Sequence, residues 1–162
     1  MKYTSKLISI LLFAGMLLTS AQAASGSNER SLPLHGNLDT AETHVVHFPT
    51  IDLAIEGVGH ASLLGKFAIT MTGTLNIVTR AATGTAQFES ASGDLIFTTV
   101  VGQATPTGTD EVTIVEIHTI TGGTGRFAGA SGWFTVERVN DTVALVATGT
   151  LTGTIVLPVR KS

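Results

Sequence analysis

The sequence contains no cysteine. A chain without cysteine has no disulfide framework, no thiolate metal site, no cysteine nucleophile and no lipidated N-terminal cysteine. The domain must therefore be stabilised by its core and its backbone hydrogen bonds alone. A closed β-sheet suits this requirement, because closure leaves no strand edge unpaired.

Charged residues are also scarce, at 13% of the chain, and the 12 acidic residues outnumber the 9 basic ones. No cluster of lysine or arginine is present to neutralise phosphates, which supply most non-specific affinity for nucleic acids. Nucleic acid and anionic membranes are therefore poor partners. Aromatic residues make up only 6% of the chain, which disfavours stacking platforms for carbohydrate or single-stranded nucleic acid.

The first 23 residues have the pattern of a secretory signal peptide. Lys2 and Lys6 form a positive n-region, residues 7–18 are largely apolar, and Ala21-Gln22-Ala23 provides a small-x-small cleavage site. The apolar stretch is shorter than the ~20 residues that a helix needs to span a bilayer. We therefore expect residues 1–23 to be removed, leaving a mature chain without a membrane span that is secreted or periplasmic.

The rest of the chain divides into a leader and a domain. Residues 24–43 are polar, contain Pro33 and Gly36, and show no sustained hydrophobic period, so we interpret them as a flexible leader. Residues 44–162 are rich in Val, Ile, Thr and Phe, with turn-forming residues at intervals. This composition predicts a single all-β domain over 44–162.

Several segments of this domain have strand character. The clearest alternates apolar and polar residues from Phe67 to Ile77, a period of two. Further strands are expected over 85–90, 95–104, 112–121, 133–139 and 143–157, with turns at Ser92-Gly93-Asp94 and Asn140-Asp141. Gly149 and Gly153 suggest bends or bulges in the last strand. Roughly six to eight strands joined by short turns predict an antiparallel barrel rather than a parallel α/β sheet.

The most specific motif is the run Thr-Gly-Gly-Thr-Gly-Arg-Phe-Ala-Gly-Ala-Ser-Gly at residues 121–132. It matches neither phosphate-binding spacing, G-x-G-x-x-G or G-x-x-x-x-G-K, and no helix follows it. We interpret it as a structural turn in which Phe127 folds back as an apolar plug. Glycines would supply positive φ or close backbone approach at Gly122, Gly123, Gly125, Gly129 and Gly132.

This run, with the strand Trp133-Phe-Thr-Val-Glu137 and the terminal segment Gly149-Thr-Leu-Thr-Gly-Thr-Ile-Val-Leu-Pro158, resembles the allene oxide cyclase and dirigent superfamily. The segment Gly59-His-Ala-Ser-Leu-Leu-Gly-Lys-Phe67 is similar to a stretch of uncharacterised bacterial secreted relatives of that group. The resemblance covers most of residues 55–158 and implies a single antiparallel, eight-stranded β-barrel. Plant cyclases place a cysteine at their pocket, and this chain has none, so the resemblance implies the fold and not the cyclase activity.

Glu116 and His118 are the first candidates for chemistry, because they share one face of a predicted strand, about 7 Å apart. If that face points into the barrel, burial would raise the pKa of Glu116, and the pair could act as general acid or base on an apolar molecule. If it points outward, Val115 and Ile117 fill the interior and the pair is a solvated stripe. We favour the outward orientation.

Arg138 is the third catalytic candidate, because it alternates with Phe134 and Val136 and could reach a carboxylate at a barrel mouth. A structural ion pair is the favoured role. Its expected partner is Glu116, Glu137 or Asp141.

His60, Arg126 and Trp133 are candidates for ligand binding. Arg126 lies in the glycine-rich turn and could also reach a carboxylate at the barrel mouth. For His60, a buried, hydrogen-bonded role with Glu56 as partner is favoured over catalysis. Trp133 is out of phase with Phe134, which suggests exposure near a barrel end, although core or interface packing is the favoured role.

His35, His44 and His47 raise the question of a metal site. The rings of His44 and His47 would point to opposite faces of a strand, and we identify no cysteine or acidic residue that completes a site. We expect neither a metal nor another cofactor.

Three functions stay open. The first is an exported barrel that binds a small hydrophobic or amphipathic molecule without turnover. The second is a cyclase or isomerase that uses Glu116, His118 and Arg138. The third is a structural homo-oligomer whose protomers meet through outward threonine rows: Thr70, Thr72, Thr74, Thr148, Thr150, Thr152 and Thr154.

Overall fold

The computed structural model describes residues 29–159, which form a closed antiparallel barrel of eight strands. Each strand pairs with the next in sequence, and the last pairs back with the first. The predicted eight-stranded all-β barrel is therefore confirmed, while the predicted signal peptide lies outside the described residues. The strands are β1 Glu29–His47, β2 Thr50–Ala61, β3 Gly65–Asn76, β4 Ala81–Ser90, β5 Leu95–Pro106, β6 Glu111–Gly123, β7 Ser131–Asp141 and β8 Val146–Pro158.

A single 3-10 turn, Gly125–Phe127, is the helical element of this part of the chain. Within residues 29–159, no helix has the length and apolar character needed to cross a membrane.

Strand β1 corrects the prediction of a flexible leader over 24–43 for residues 29–43, and residues 24–28 lie outside the described residues. Its first half pairs with β8 and its second half with β2, and Leu34, Leu38 and Thr40 are buried while most of their neighbours face solvent. The period of two was hard to recognise because Gly36 and the polar Thr40 occupy inward positions. The segment is ordered as a strand because the edges of β2 and β8 would otherwise be unpaired.

The predicted strand cores fall within β3 to β8, with two differences. The last strand begins at Val146, because residues 142–145 form the turn that precedes it. Gly149 and Gly153 lie in continuous register with both neighbouring strands, and the register shift of the sheet occurs at Phe97/Thr98 instead. At Gly153 a Cβ would lie 2.4 Å from Phe134 Cα, so close strand approach, not a bulge, requires glycine there.

Aromatic packing closes one end of the barrel. The rings of Phe67 and Phe134 lie 5.7 and 5.3 Å from that of Phe88, and Phe127 belongs to the same core at 1% exposure. This confirms the predicted plug, which adds roughly 1.5–3 kcal/mol of hydrophobic burial. Four of the predicted glycines have positive φ, namely Gly122, Gly125, Gly129 and Gly132. Gly123 is needed for space, because its Cβ would lie 2.4 Å from Leu95 O.

Candidate functional site

The opposite end of the barrel holds a cavity of about 290 Å³. An eight-stranded barrel is just wide enough to be filled by its own side chains or to hold one small ligand. Here the aromatic rings fill one end, and shorter side chains leave space at the other. The apolar wall consists of Ile51, Leu53, Leu75, Ile77, Ala82, Ala104, Pro106, Val112, Ile114 and Leu145.

An ion pair between Glu116 on β6 and Arg138 on β7 forms the floor of this cavity. Both residues are 3% exposed. Arg138 Nη2 donates to Glu116 Oε1 at 2.7 Å, and Nε donates to Oε2 at 3.1 Å. The third contact runs from Nη1 to Thr40 Oγ1 at 3.2 Å. The bidentate geometry compensates both charges where little water can reach them.

Glycines on the neighbouring strands leave room for this pair. Gly102 on β5 is in register with Glu116, and Gly149 on β8 is in register with Arg138. A Cβ at Gly102 would lie 3.1 Å from Glu116 Cγ, and one at Gly149 would lie 2.7 Å from Arg138 Cγ. Any side chain at either position would therefore crowd the pair.

His118 lies one inward position deeper on β6 and is fully buried at 0% exposure. Its ring stacks on Phe134 with centroids 4.9 Å apart and planes 9° apart. Nδ1 is 3.0 Å from Thr98 Oγ1, while Nε2 is 3.9 Å from Glu116 Oε2, which is too long for a hydrogen bond. His118 thus connects the polar floor of the cavity to the aromatic core.

The structure overturns the favoured outward orientation of Glu116 and His118. The two side chains point into the barrel, and Val115 and Ile117 are instead 40% and 46% exposed on the outer surface. The sequence misled here because both faces of β6 carry β-branched apolar residues. The predicted structural ion pair of Arg138 is confirmed, with Glu116 as the partner.

The expected rise in the pKa of Glu116 is also wrong. Burial by itself would raise that pKa, but the neighbouring His118 and Arg138 together hold it below its ordinary value. The carboxylate therefore stays ionised, and both of its oxygens accept hydrogen bonds from Arg138. A group in this state is poorly suited to donate a proton to a bound molecule.

Asn140 is a polar residue of the cavity wall, although the Asn140-Asp141 pattern predicted a turn there. Strand β7 continues through it to Asp141, so its side chain faces the cavity at 5% exposure. Its Oδ1 is buried and has no hydrogen-bond partner among residues 29–159. The only sequence signal was its even spacing from Phe134, Val136 and Arg138, which the Asn-Asp turn pattern outweighed.

The mouth of the cavity combines charged and apolar side chains. Glu42, His44 and Arg80 line it. Phe48 and Val143, on the β1–β2 and β7–β8 turns at the same end of the barrel, are 78% and 74% exposed. The mouth thus offers opposite charges, from Glu42 and Arg80, to an amphipathic molecule, and exposed apolar side chains lie on the turns at the same end of the barrel.

The three predicted ligand-binding residues lie away from this cavity. His60 is exposed on β2 in register with Lys66, not buried as expected. Trp133 is 58% exposed on β7, as its phase with Phe134 suggested, so packing in the core is excluded and packing at an interface stays a prediction. Arg126 is at the closed end, where Nε lies 3.4 Å from Asp94 Oδ2 and the guanidinium lies 4.9 Å from the Phe127 ring centre.

The histidines near the N-terminus do not assemble a metal centre. Over residues 29–159, no group of three or more His, Asp or Glu side chains is arranged to hold a metal ion. His47 instead lies 3.7 Å from Asp52 Oδ2, with both side chains largely exposed.

Comparison with known proteins establishes the fold. No protein-family model matches the chain, and no curated protein matches it in sequence. Among solved structures it is similar to the pterocarpan synthase dirigent protein GePTS1, with 14% sequence identity, a TM-score of 0.58, and coverage of 97% of this chain and 98% of that one. The resemblance inferred from the glycine-rich turn is thereby confirmed at the level of the fold, which is that of the dirigent-like eight-stranded barrels.

Proposed function

We propose that the protein is an exported barrel that binds a small hydrophobic or amphipathic molecule in the cavity at its open end, without turnover. The observation that carries this proposal is a cavity with an aliphatic wall and a buried polar floor. Small-molecule sites have this composition, since apolar surface supplies affinity and a few fixed polar groups supply orientation. The dirigent-like fold supports the same interpretation.

The cavity volume limits the size of the ligand. An apolar cavity of ~150 Å³ holds one benzene molecule, and the present cavity is about 290 Å³. By this comparison it accommodates about 10–15 non-hydrogen atoms, equivalent to one or two small rings or a short chain.

Binding is better supported than a cyclase or isomerase reaction. Such a reaction needs a proton donor or acceptor that faces the ligand. Arg138 occupies both oxygens of Glu116, and His118 lies beneath the pair against Phe134. Glu116 and Arg138 form a compensated ion pair at the floor of the cavity, and His118 lies behind this pair and does not line the cavity.

A cavity-filling substitution tests the proposal. Ala82 lines the cavity, whereas the adjacent Ala81 faces outward and is exposed. We expect Ala82→Phe to abolish binding of naphthalene, a ten-carbon probe, and Ala81→Phe to leave it unchanged. Native mass spectrometry of the exported protein should also show a bound small molecule that Ala82→Phe loses. The proposal would be refuted if the wild-type protein neither bound naphthalene nor carried a small molecule when it was isolated.

The export part of the proposal has its own measurement. The intact mass of the protein recovered from the periplasm or the medium should correspond to a chain that begins at Ala24. Recovery of the uncleaved chain from the cytoplasm alone would refute it.

The outer surface supports a second role, assembly into a homo-oligomer. Val101 and Ile117 are in register on β5 and β6 and are 54% and 46% exposed, and exposed apolar patches commonly mark interaction surfaces. The predicted threonine rows also lie outside, with Thr70, Thr72, Thr74, Thr148, Thr150 and Thr152 exposed and Thr154 half-buried. Sedimentation velocity should show an oligomer that Ile117→Lys dissociates, and a monomer at high concentration would exclude this role.

A further inference from the structure

Asn140 has an unmet hydrogen-bonding requirement at the cavity wall. The residue is 5% exposed, and its Oδ1 has no partner within the described part of the chain. An amide oxygen that is buried without a donor destabilises the folded state. A ligand hydroxyl or amide N–H would satisfy it, whereas a carboxylate has no hydrogen to donate.

The charge of Arg138 is already compensated by Glu116, so Arg138 does not present an unpaired cation to an anion. Its Nε and Nη2 donate to Glu116, and its Nη1 donates to Thr40. A ligand carboxylate at the floor would have to displace Glu116 or lie beside it without a counter-charge, and both alternatives are unfavourable in a buried site.

The other charged groups of the cavity lie nearer its mouth. Arg80 is exposed there beside His44, and the half-buried Glu42 carries the opposite charge to Arg80. Solvent screens exposed charges of this kind, so they discriminate weakly between ligands. Discrimination between charged and neutral ligands therefore depends mainly on the Glu116–Arg138 pair at the floor of the cavity.

From these contacts we infer the class of ligand: a neutral, largely apolar molecule of about 10–15 non-hydrogen atoms, whose buried end donates a hydroxyl or amide hydrogen to Asn140 Oδ1. The site discriminates against the carboxylate of the same shape. This inference rests on the proposed function, because it concerns the same cavity.

Three probes with one ring system test it on the mature protein by calorimetric titration: naphthalene, 2-naphthalenemethanol and 2-naphthoate. The alcohol should bind about tenfold more tightly than naphthalene, the gain expected for one buried hydrogen bond. The carboxylate should bind most weakly. Asn140→Leu should remove the preference for the alcohol over naphthalene while naphthalene binding persists.

A second variant reverses the selectivity. Glu116→Gln removes the negative partner of Arg138 and leaves a buried positive charge. In this variant 2-naphthoate should become the tightest of the three probes and should raise the melting temperature most. If Glu116→Gln does not fold, the wild-type protein and Asn140→Leu still provide the test.

The outcomes separate the two proposals. If naphthalene binds and the alcohol gains nothing, or if Asn140→Leu keeps the preference for the alcohol, the inference on ligand class is overturned and the binding function stands. Tightest binding of 2-naphthoate to the wild-type protein likewise overturns only the inference. If none of the probes binds, the proposed function and the inference fail together.

Discussion

Arg138 Nη2 lies 2.7 Å from Glu116 Oε1 across two neighbouring strands, and both residues are 3% exposed. The two residues are not cross-strand partners, since Arg138 pairs with Ile114 and Glu116 pairs with Val136. The side chains therefore meet diagonally across the sheet. This contact separates the packed end of the barrel from the cavity.

The first prediction concerns the energy of this pair. Glu116→Leu or Arg138→Met alone should lower the free energy of unfolding by about 3–5 kcal/mol, because each leaves an uncompensated buried charge. The double variant should be much closer to wild type, because two apolar side chains replace both charges. Urea denaturation measures all four proteins. Single variants that lose less than about 1 kcal/mol would show that the charges reach solvent.

The second prediction concerns acid stability. The pKa of Glu116 is lower in the folded protein than its ordinary value of 4.5, so the folded state binds the proton less readily than the unfolded state. The stabilisation by the Glu116 carboxylate is complete above its ordinary pKa of 4.5, and it is lost as the pH falls through the lower pKa of the folded state. Chemical denaturation from neutral to acidic pH should therefore show a declining stability whose slope is shallower in Glu116→Gln.

A control for this experiment is Asp141. Hydrogen bonds from the backbone N–H groups of Ala144 and Val143 lower the pKa of this exposed carboxylate too. Asp141→Asn should therefore remove a separate part of the slope. An unchanged slope in Glu116→Gln would contradict the assignment of acid sensitivity to the buried pair.

The third prediction tests β1 as a structural strand. Leu34 is 1% exposed inside the barrel, while the next residue, His35, has its side chain outside. Leu34→Ala should lower the free energy of unfolding by about 2–5 kcal/mol, and His35→Ala should change it by less than about 0.5 kcal/mol. Thermal and urea unfolding measure both. If both variants changed the free energy of unfolding by the same small amount, β1 would not be a structural strand and the predicted flexible leader would be the better description.

The fourth prediction separates the two ends of the barrel. Phe127→Ala removes the plug of the closed end and should lower stability by about 3–5 kcal/mol. The affinity for naphthalene, measured where the variant is folded, should be unchanged. Phe48→Ala, at 78% exposure, should change stability by less than about 0.5 kcal/mol. Loss of binding in folded Phe127→Ala would place the ligand in the aromatic core.

The sequence by itself determined the fold class. Alternation from Phe67 to Ile77, the β-branched composition and the glycine-rich turn each report local backbone geometry, which neighbouring residues largely decide. The plug role of Phe127 followed from the same turn, since its glycines allow the chain to reverse over the barrel end. Apart from the obscured alternation in β1, these features did not depend on distant strands.

Tertiary structure alone decided the orientation and composition of the site. An alternating pattern separates the two faces of a strand but does not say which one points inward when both are apolar, as around Glu116 and Ile117. Closure of the sheet made that choice, turned residues 29–43 into a paired strand, and brought Asn140 to the cavity wall. The state of Glu116 depended on Arg138, 22 residues away in sequence, and only the pairing of β6 with β7 places them together.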